Sequence, residues 1–178
     1  MPLRVEDFFL LDKSGAFEGY GKTELIDGGV VFMNAQHRPH ARIKGQLFLA
    51  LVAALREHHS GLTAIIEATV SMPPHNAPEP DLVLTSEPDG EGPIPLASVA
   101  LLVEISDATL TVDLDIKARL YASHNVAEYW VVDVEGRVIH QHWGPEAEGY
   151  AELREVAFGE LVDAATIAGL KVLTDGLG

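Results

Sequence analysis

Pro80-Asp81, Glu104 at the end of an apolar run, and Lys117 on the segment after it set two carboxylates and one amine in an order suited to metal-assisted phosphodiester cleavage. Two acidic side chains entering from neighbouring strands can hold a hard divalent cation through oxygen, and a nearby ammonium can orient or acidify the attacking water. Side chains alternate across a strand, so Leu102, Glu104 and Ser106 project to one side of the run while Val103 and Ile105 project to the other. Asp81 follows the proline-rich stretch MPPHNAPEP, which suits an extended approach rather than a central strand or helix. Both carboxylates can then sit at one edge of a sheet, where a cation would offset the cost of burying them. For either acid alone, a salt bridge or a strand-end cap is the competing explanation. Asp113, Lys117 and Tyr121 are spaced i, i+4, i+8 and share one helical stripe. Asp113 and Lys117 can equally be a surface ion pair, but Leu114, Ile116 and Leu120 put Lys117 at the border of the buried face.

The composition narrows the chemistry further. The 178 residues are 47% hydrophobic, enough for one well-buried core and too few for two ordinary enzyme domains. With no cysteine, a metal must be held by oxygen or imidazole, which favours magnesium or manganese over structural zinc. Twelve basic against 27 acidic residues give a net charge of -15, which opposes a broad nonspecific hold on nucleic acid. That excludes a simple DNA-binding module more than a nuclease, in which the cation neutralises the scissile phosphate. The one basic cluster is Arg38, Arg42 and Lys44 with His37 and His40 interleaved, readable as a solvated first turn or as a phosphate contact. The start MPLRVEDFFLLDKSG lacks the build of a signal peptide and no apolar stretch is long enough to span a membrane, so a cytoplasmic protein is expected.

These residues need elements to position them. Residues 5–11 read as a short amphipathic helix stopped by Ser14-Gly15. Residues 23–26 and 30–33 flank Asp27-Gly28-Gly29, a hairpin signal. From His40 to about His58, Ile43, Leu47, Leu51 and Leu55 recur every four positions, which predicts the longest helix, with Pro39 suited to its start. Residues 62–70 are strand-like, 82–84 a short strand, and SEPDGEGPIP a flexible loop. The run 100–105 reads as a buried strand, 107–111 as a turn, 113–125 as a helix and 129–132 as a strand; strand, helix, strand implies a crossover beside a sheet. A hairpin of 137–143 and 150–156 follows, then a tail through Leu173 that is either a short helix or a closing strand. The class is α/β or α+β on a mixed sheet. His140 and His142 share one strand face, suited either to a metal or to an exposed hairpin, while Tyr129 and Trp130 read as packing residues rather than a base-stacking platform.

The strings ELIDG, His40 before the long helix, PEPDLVL, VEISDATLTVD, DIK, Tyr121 and AEYWVVD follow in the order seen in the Uma2 family, which the chain resembles from about Thr23 to Asp133. The resemblance implies a single restriction-endonuclease-like domain over residues 1–178, of the PD-(D/E)xK type, with a mixed β-sheet flanked by helices. It matches Asp81 and Glu104 to the metal-binding acids and Lys117 to the catalytic lysine. The wider motif has its lysine two residues after the second acid, where this chain has Ser106, so the amine comes from the helix instead. Glu24 resembles a family position that could add an acid, with a pairing to Lys22 or Arg4 as the alternative. His40 resembles the family histidine; it could touch phosphate or a water on the cation, or simply cap the helix.

The expected function is a magnesium- or manganese-dependent hydrolase of DNA phosphodiesters, with Asp81, Glu104 and the Ile105 carbonyl holding the cation, Lys117 positioning the water, and Glu24, His40, Asp113 and Tyr121 as auxiliaries. The acidic composition keeps open a noncatalytic binding or assembly module on the same fold, and a hydrolase of a small phosphorylated molecule avoids the charge objection. Val131, Val132 and the C-terminal segment offer an apolar surface for a homodimer.

Overall fold

Asp27 and Gly28 both take positive φ, 49° and 75°, so the two-residue loop has the type I′ form that matches the twist of paired strands. It joins β1 (Thr23–Ile26) to β2 (Gly29–Phe32), close to the expected hairpin, after an opening helix α1 (Val5–Lys13). The computed structural model describes residues 1–33 and 35–177. Next come α2 (Arg38–Glu57), with Pro39 in its first turn, then β3 (Thr63–Ile66), β4 (Val70–Ser71), β5 (Leu82–Thr85), β6 (Ile94–Pro95) and β7 (Val99–Ser106). A wide π-helical turn, Val112–Lys117, runs into α3 (Ala118–Ser123). The chain continues through β8 (Glu128–Asp133), β9 (Val138–Glu146), β10 (Gly149–Ala157), β11 (Leu161–Asp163) and β12 (Lys171–Leu173).

Six strands form one mixed sheet in the order β10-β9-β8-β7-β5-β3. Within this sheet only β7 and β8 pair in parallel, and the π turn with α3 makes the crossover between them, as strand, helix, strand implied. The apolar period of α2 lays Ile43, Leu47, Leu51 and Leu55 on one sheet face, against Leu82, Leu84, Leu101, Val103, Trp130 and Val132. The ribbon β11–β12 covers more of that face with Val162 and Val172, so the tail closes as strands rather than a helix. On the other face, Ala118, Leu120 and Tyr121 of α3 pack on Val83, Leu102, Tyr129 and Val131. Fold class and flanking helices are those expected. Among the described residues no helix is long and apolar enough to cross a membrane.

Three readings change. The run 62–70 does not stay in one strand: Glu67 takes φ 52°, and the chain leaves the main sheet to pair β4 in parallel with β6. Ile94 and Pro95, placed in a flexible loop by their neighbours, therefore hold a strand pair. Val131 and Val132 are fully buried between the layers and offer no surface to a second copy; a central parallel strand is covered on both faces, which is why it is apolar throughout. Tyr129 and Trp130 are core residues, as read.

A polar staple fixes the ribbon to the sheet. The carboxylate of Glu128, fully buried on β8, accepts from Trp130 Nε1 (2.6 Å), Gln141 Nε2 (2.7 Å), the amides of Ala165 (3.1 Å) and Thr166 (2.8 Å), and Thr166 Oγ1 (2.9 Å). Five donors from three segments satisfy one charge. Glu128→Ala strands all five and should cost about 4 kcal/mol or more in denaturant unfolding. A variant within about 1 kcal/mol of wild type would show that the staple is dispensable.

Candidate active site

The pairing of β5 with β7 assembles the two acids. The antiparallel register sets Leu82 opposite Val103, and one further residue sets Asp81 opposite Glu104, on the face that carries α3. The Ile105 amide, 2.8 Å from Asp81 Oδ2, points toward β5, and in an extended strand its carbonyl points the same way. Across from it the register puts Pro80, which has no N–H to donate, so β5 supplies that carbonyl with no ladder partner. The proline before the aspartate thus opens an oxygen beside two carboxylates.

Around Glu104 the helix supplies the donors. Lys117 Nζ lies 2.9 Å from Glu104 Oε1 and 3.2 Å from Glu24 Oε1, and Tyr121 OH donates to the same Glu104 oxygen at 2.8 Å. All four side chains are buried. Glu24 reaches the site because its hairpin docks on residue 77, where Leu25 and Ala77 exchange both backbone hydrogen bonds; Glu24 Oε1 also takes the Glu79 amide at 2.8 Å. Its alternative partners are engaged elsewhere, Lys22 with Glu79 and Arg4 with Glu6. Asp113 is buried as well, and its carboxylate takes the Thr109 hydroxyl at 2.6 Å, so the alternative of a surface ion pair with Lys117 is not realised. Ser106, in the position where the wider motif has its lysine, is buried beside Thr109.

Around Asp81, α2 supplies them. His40 Nε2 is 3.1 Å from Asp81 Oδ2, and Lys44 Nζ, one turn on, is 3.3 Å from Oδ1. The basic cluster therefore splits: His37, Arg38 and Arg42 are exposed, whereas His40 and Lys44 turn inward. Lys44 also bonds Gln36 Oε1 and Glu67 Oε1, each at 2.5 Å. Gln36 and Glu67 carry no role in the sequence reading, and Lys44 enters it only within the basic cluster. Lys44 was detectable, because four residues after His40 and three before Leu47 it falls on the buried stripe of α2. Nothing in the sequence marks Glu67. His140 and His142 lie away from this cluster, His140 against Glu155 (3.2 Å) and His142 stacked on Tyr129 (centroids 5.7 Å apart).

The charges are distributed unequally. Burial works to raise the Asp81 carboxyl, but the hydrogen bond and charge of His40, the Ile105 amide and the charge of Lys22 draw it down to about 2. Burial pushes Glu104 up to about 8; Lys117 opposes this, while Asp81, Asp113 and Glu24 reinforce it. Burial works to lower Lys117, but Glu104, Glu24 and Asp113 hold it well above the ordinary lysine value. The two shifts compete, since a protonated Glu104 withdraws part of the charge that keeps Lys117 ionised. Glu24 and Asp113 still face the amine, so Lys117 is the group that stays charged and Glu104 the one that keeps a proton. Burial also raises Tyr121, next to Glu104, and leaves it a neutral donor.

Among the described residues no three Asp, Glu, His or Cys side chains form a ready metal cage. The available donors are two carboxylates and one carbonyl, all hard oxygens, in a cluster where buried carboxylates outnumber ammonium groups. That set fits magnesium or manganese, which keep several waters and take few protein ligands.

The fold has counterparts. The family model Uma2, described as "Putative restriction endonuclease", matches residues 5–175. Among solved structures, the chain is similar to a protein of Anabaena variabilis described as a "putative nuclease belonging to DUF820", with a TM-score of 0.71 and 15% identity over 99% of this chain and 97% of that one. At that identity the likeness is one of fold, and the fold is that of a nuclease-like protein. No curated protein matches the chain. With nearly its full length inside the family model, the chain belongs to the Uma2 family.

Proposed function

We infer that the chain is a magnesium- or manganese-dependent DNA endonuclease, its 178 residues acting as one domain. The observation that carries this reading is the facing of Asp81 and Glu104 across β5 and β7, beside an Ile105 carbonyl that Pro80 leaves without a partner. Family membership and the nuclease-like fold support the reaction class. A divalent ion bound by Asp81, Glu104 and the Ile105 carbonyl would polarise the scissile phosphate and acidify an attacking water.

The chain's own residues do the rest. The Ile105 amide and His40 fix Asp81 in one rotamer and keep it ionised; Lys44 and Gln36 hold its other oxygen, so an ion bound to Asp81 would displace one of these donors. Among the described residues His40 Nδ1 is buried without a hydrogen-bond partner, and a ring N–H there would suit a phosphate oxygen brought against it. Lys117, gripped by Glu104 and Glu24, holds positive charge where negative charge develops in phosphoryl transfer, and can orient the nucleophile. Tyr121 and Lys117 both bond Glu104 Oε1, which fixes the orientation of that carboxylate. Asp113 stands behind this set, adding negative charge that keeps Lys117 an ammonium.

In a manganese-dependent nicking assay on supercoiled DNA, Asp81→Asn and Glu104→Gln should each lose at least about 100-fold, and Lys117→Met about 100- to 1,000-fold, with circular dichroism unchanged. Nicking by Asp81→Asn at the wild-type rate would remove the assignment. Hydrolysis of nucleotides without any cleavage of DNA would instead favour a small-molecule phosphohydrolase, and manganese binding with neither activity a noncatalytic module.

Glu104 also makes a prediction about pH. Its carboxyl is raised to about 8 in the fold, so the unfolded chain releases this proton first. The stability it contributes is complete below the ordinary carboxylate range and is lost as pH rises toward about 8. Glu104→Gln imitates the protonated group at every pH. Without metal, its melting temperature should therefore gain on wild type as pH goes from about 5 to about 8. A constant difference across that range contradicts a raised Glu104.

A further inference from the structure

Three oxygens from three separate segments converge on the Lys44 ammonium: Gln36 Oε1 and Glu67 Oε1 at 2.5 Å and Asp81 Oδ1 at 3.3 Å. Oxygens gathered in this way around a positive charge are what a protein builds for a cation, and here a side chain of the same polypeptide fills the place. An ammonium has three N–H donors, and all three acceptors are already present. Lys44 therefore has no donor left for a phosphate or a nucleophile, which argues against a second catalytic amine. Its stem is part of the buried stripe of α2, and only 7% of the residue is exposed.

The geometry of Asp81 extends the argument. One of its oxygens, Oδ2, takes the Ile105 amide and His40; the other, Oδ1, takes Lys44 and Gln36. In phosphodiesterases that use two metal ions, a shared carboxylate commonly stands between the two cations, which lie only about 4 Å apart. Asp81 has that bridging disposition, with Glu104 toward one side and Lys44 on the other. Glu67 is set in place by its own backbone, held at φ 52° with its amide bonded to the Asp81 carbonyl at 3.1 Å. That positive φ is an unfavourable conformation for a glutamate, and here it brings the carboxylate onto Lys44. The hydrogen bond to Lys44 in turn lowers the Glu67 carboxyl, which stays charged and half-open to solvent.

We propose that Lys44 stands in for a second divalent cation, so that the site takes one metal ion and Lys44 supplies the other positive charge. The inference rests on the reading of Asp81 and Glu104 as ligands of a divalent ion. Removing the ammonium while keeping its stem, as in Lys44→Met, should expose Asp81, Glu67 and Gln36 to a second ion.

Calorimetric titration of the full chain with manganese chloride at neutral pH tests this. Wild type should bind one ion, Lys44→Arg one, and Lys44→Met two; adding Glu67→Gln to Lys44→Met should return the count to one. Metal-free Lys44→Met should melt below wild type, and manganese should raise its melting temperature more than it raises that of wild type. If Lys44→Met does not fold, Lys44→Gln replaces it. One ion in both wild type and Lys44→Met, or two in wild type, overturns this inference and leaves the Asp81 and Glu104 reading intact. No ion in wild type or in Lys44→Met overturns both.

Discussion

The register of β5 on β7 is the constraint on which the site depends. A strand pair shifted by one residue would send Asp81 to the α2 face while Glu104 stayed on the α3 face, because side chains alternate with a period of two. The register is held by apolar residues on both faces: Leu82, Leu84, Leu101 and Val103 against α2, and Val83 and Leu102 against α3. Packing that stabilises the sheet therefore also sets which acids meet. Pro80 adds a local effect, since a residue with an amide at that place would close the ladder and engage the Ile105 carbonyl.

Electrostatics makes the site costly to assemble, and the fold compensates from both sides of the sheet edge. Glu24, Asp81, Glu104 and Asp113 are all buried, with Lys44 and Lys117 as the buried ammonium groups among them. Each lysine is anchored by two carboxylates, Lys44 by Glu67 and Asp81 and Lys117 by Glu24 and Glu104. The Lys117 set is buried throughout and the Lys44 set is open only at Glu67, so removing either ammonium would leave buried carboxyl groups without their cation. The chain's net charge of -15 is echoed at the site, where four buried carboxyl groups face two ammonium groups, an excess of acid that a divalent ion would offset.

Much of this was legible in the sequence where one local rule acts alone. Asp27-Gly28 between apolar runs fixed the hairpin, the four-residue apolar period fixed α2, and the unbroken run ending at Glu104 marked a buried strand. Reading failed where distant residues decide. No glycine or asparagine announces the positive φ of Glu67, so the break after β3 was invisible, and Ile94-Pro95 pairs only because the diverted chain comes to it. Lys44 carried a usable signal in its place on the α2 stripe, but a lysine in a basic first turn ordinarily reads as solvated. Asp81, Glu104, Lys117 and Tyr121 follow from order and spacing and Glu24 from the family resemblance; Glu24, Glu104, Lys117 and Tyr121 share hydrogen bonds, and Asp81 faces Glu104 across the strand pair.

The wide turn at Val112–Lys117 separates two parts of the chemistry that a lysine at position 106 would have joined. On β7, an amine would be tied to Glu104 by the rigid geometry of a single strand. On the helix, it is held in place by Ala118, Leu120 and Tyr121 packing on the sheet, and a π turn is a place where a helix can gain or lose a residue with little disturbance elsewhere. The acids and the amine are therefore independently adjustable. A shift of one residue in that turn would move the amine while the two carboxylates and the strands beneath them stay unchanged.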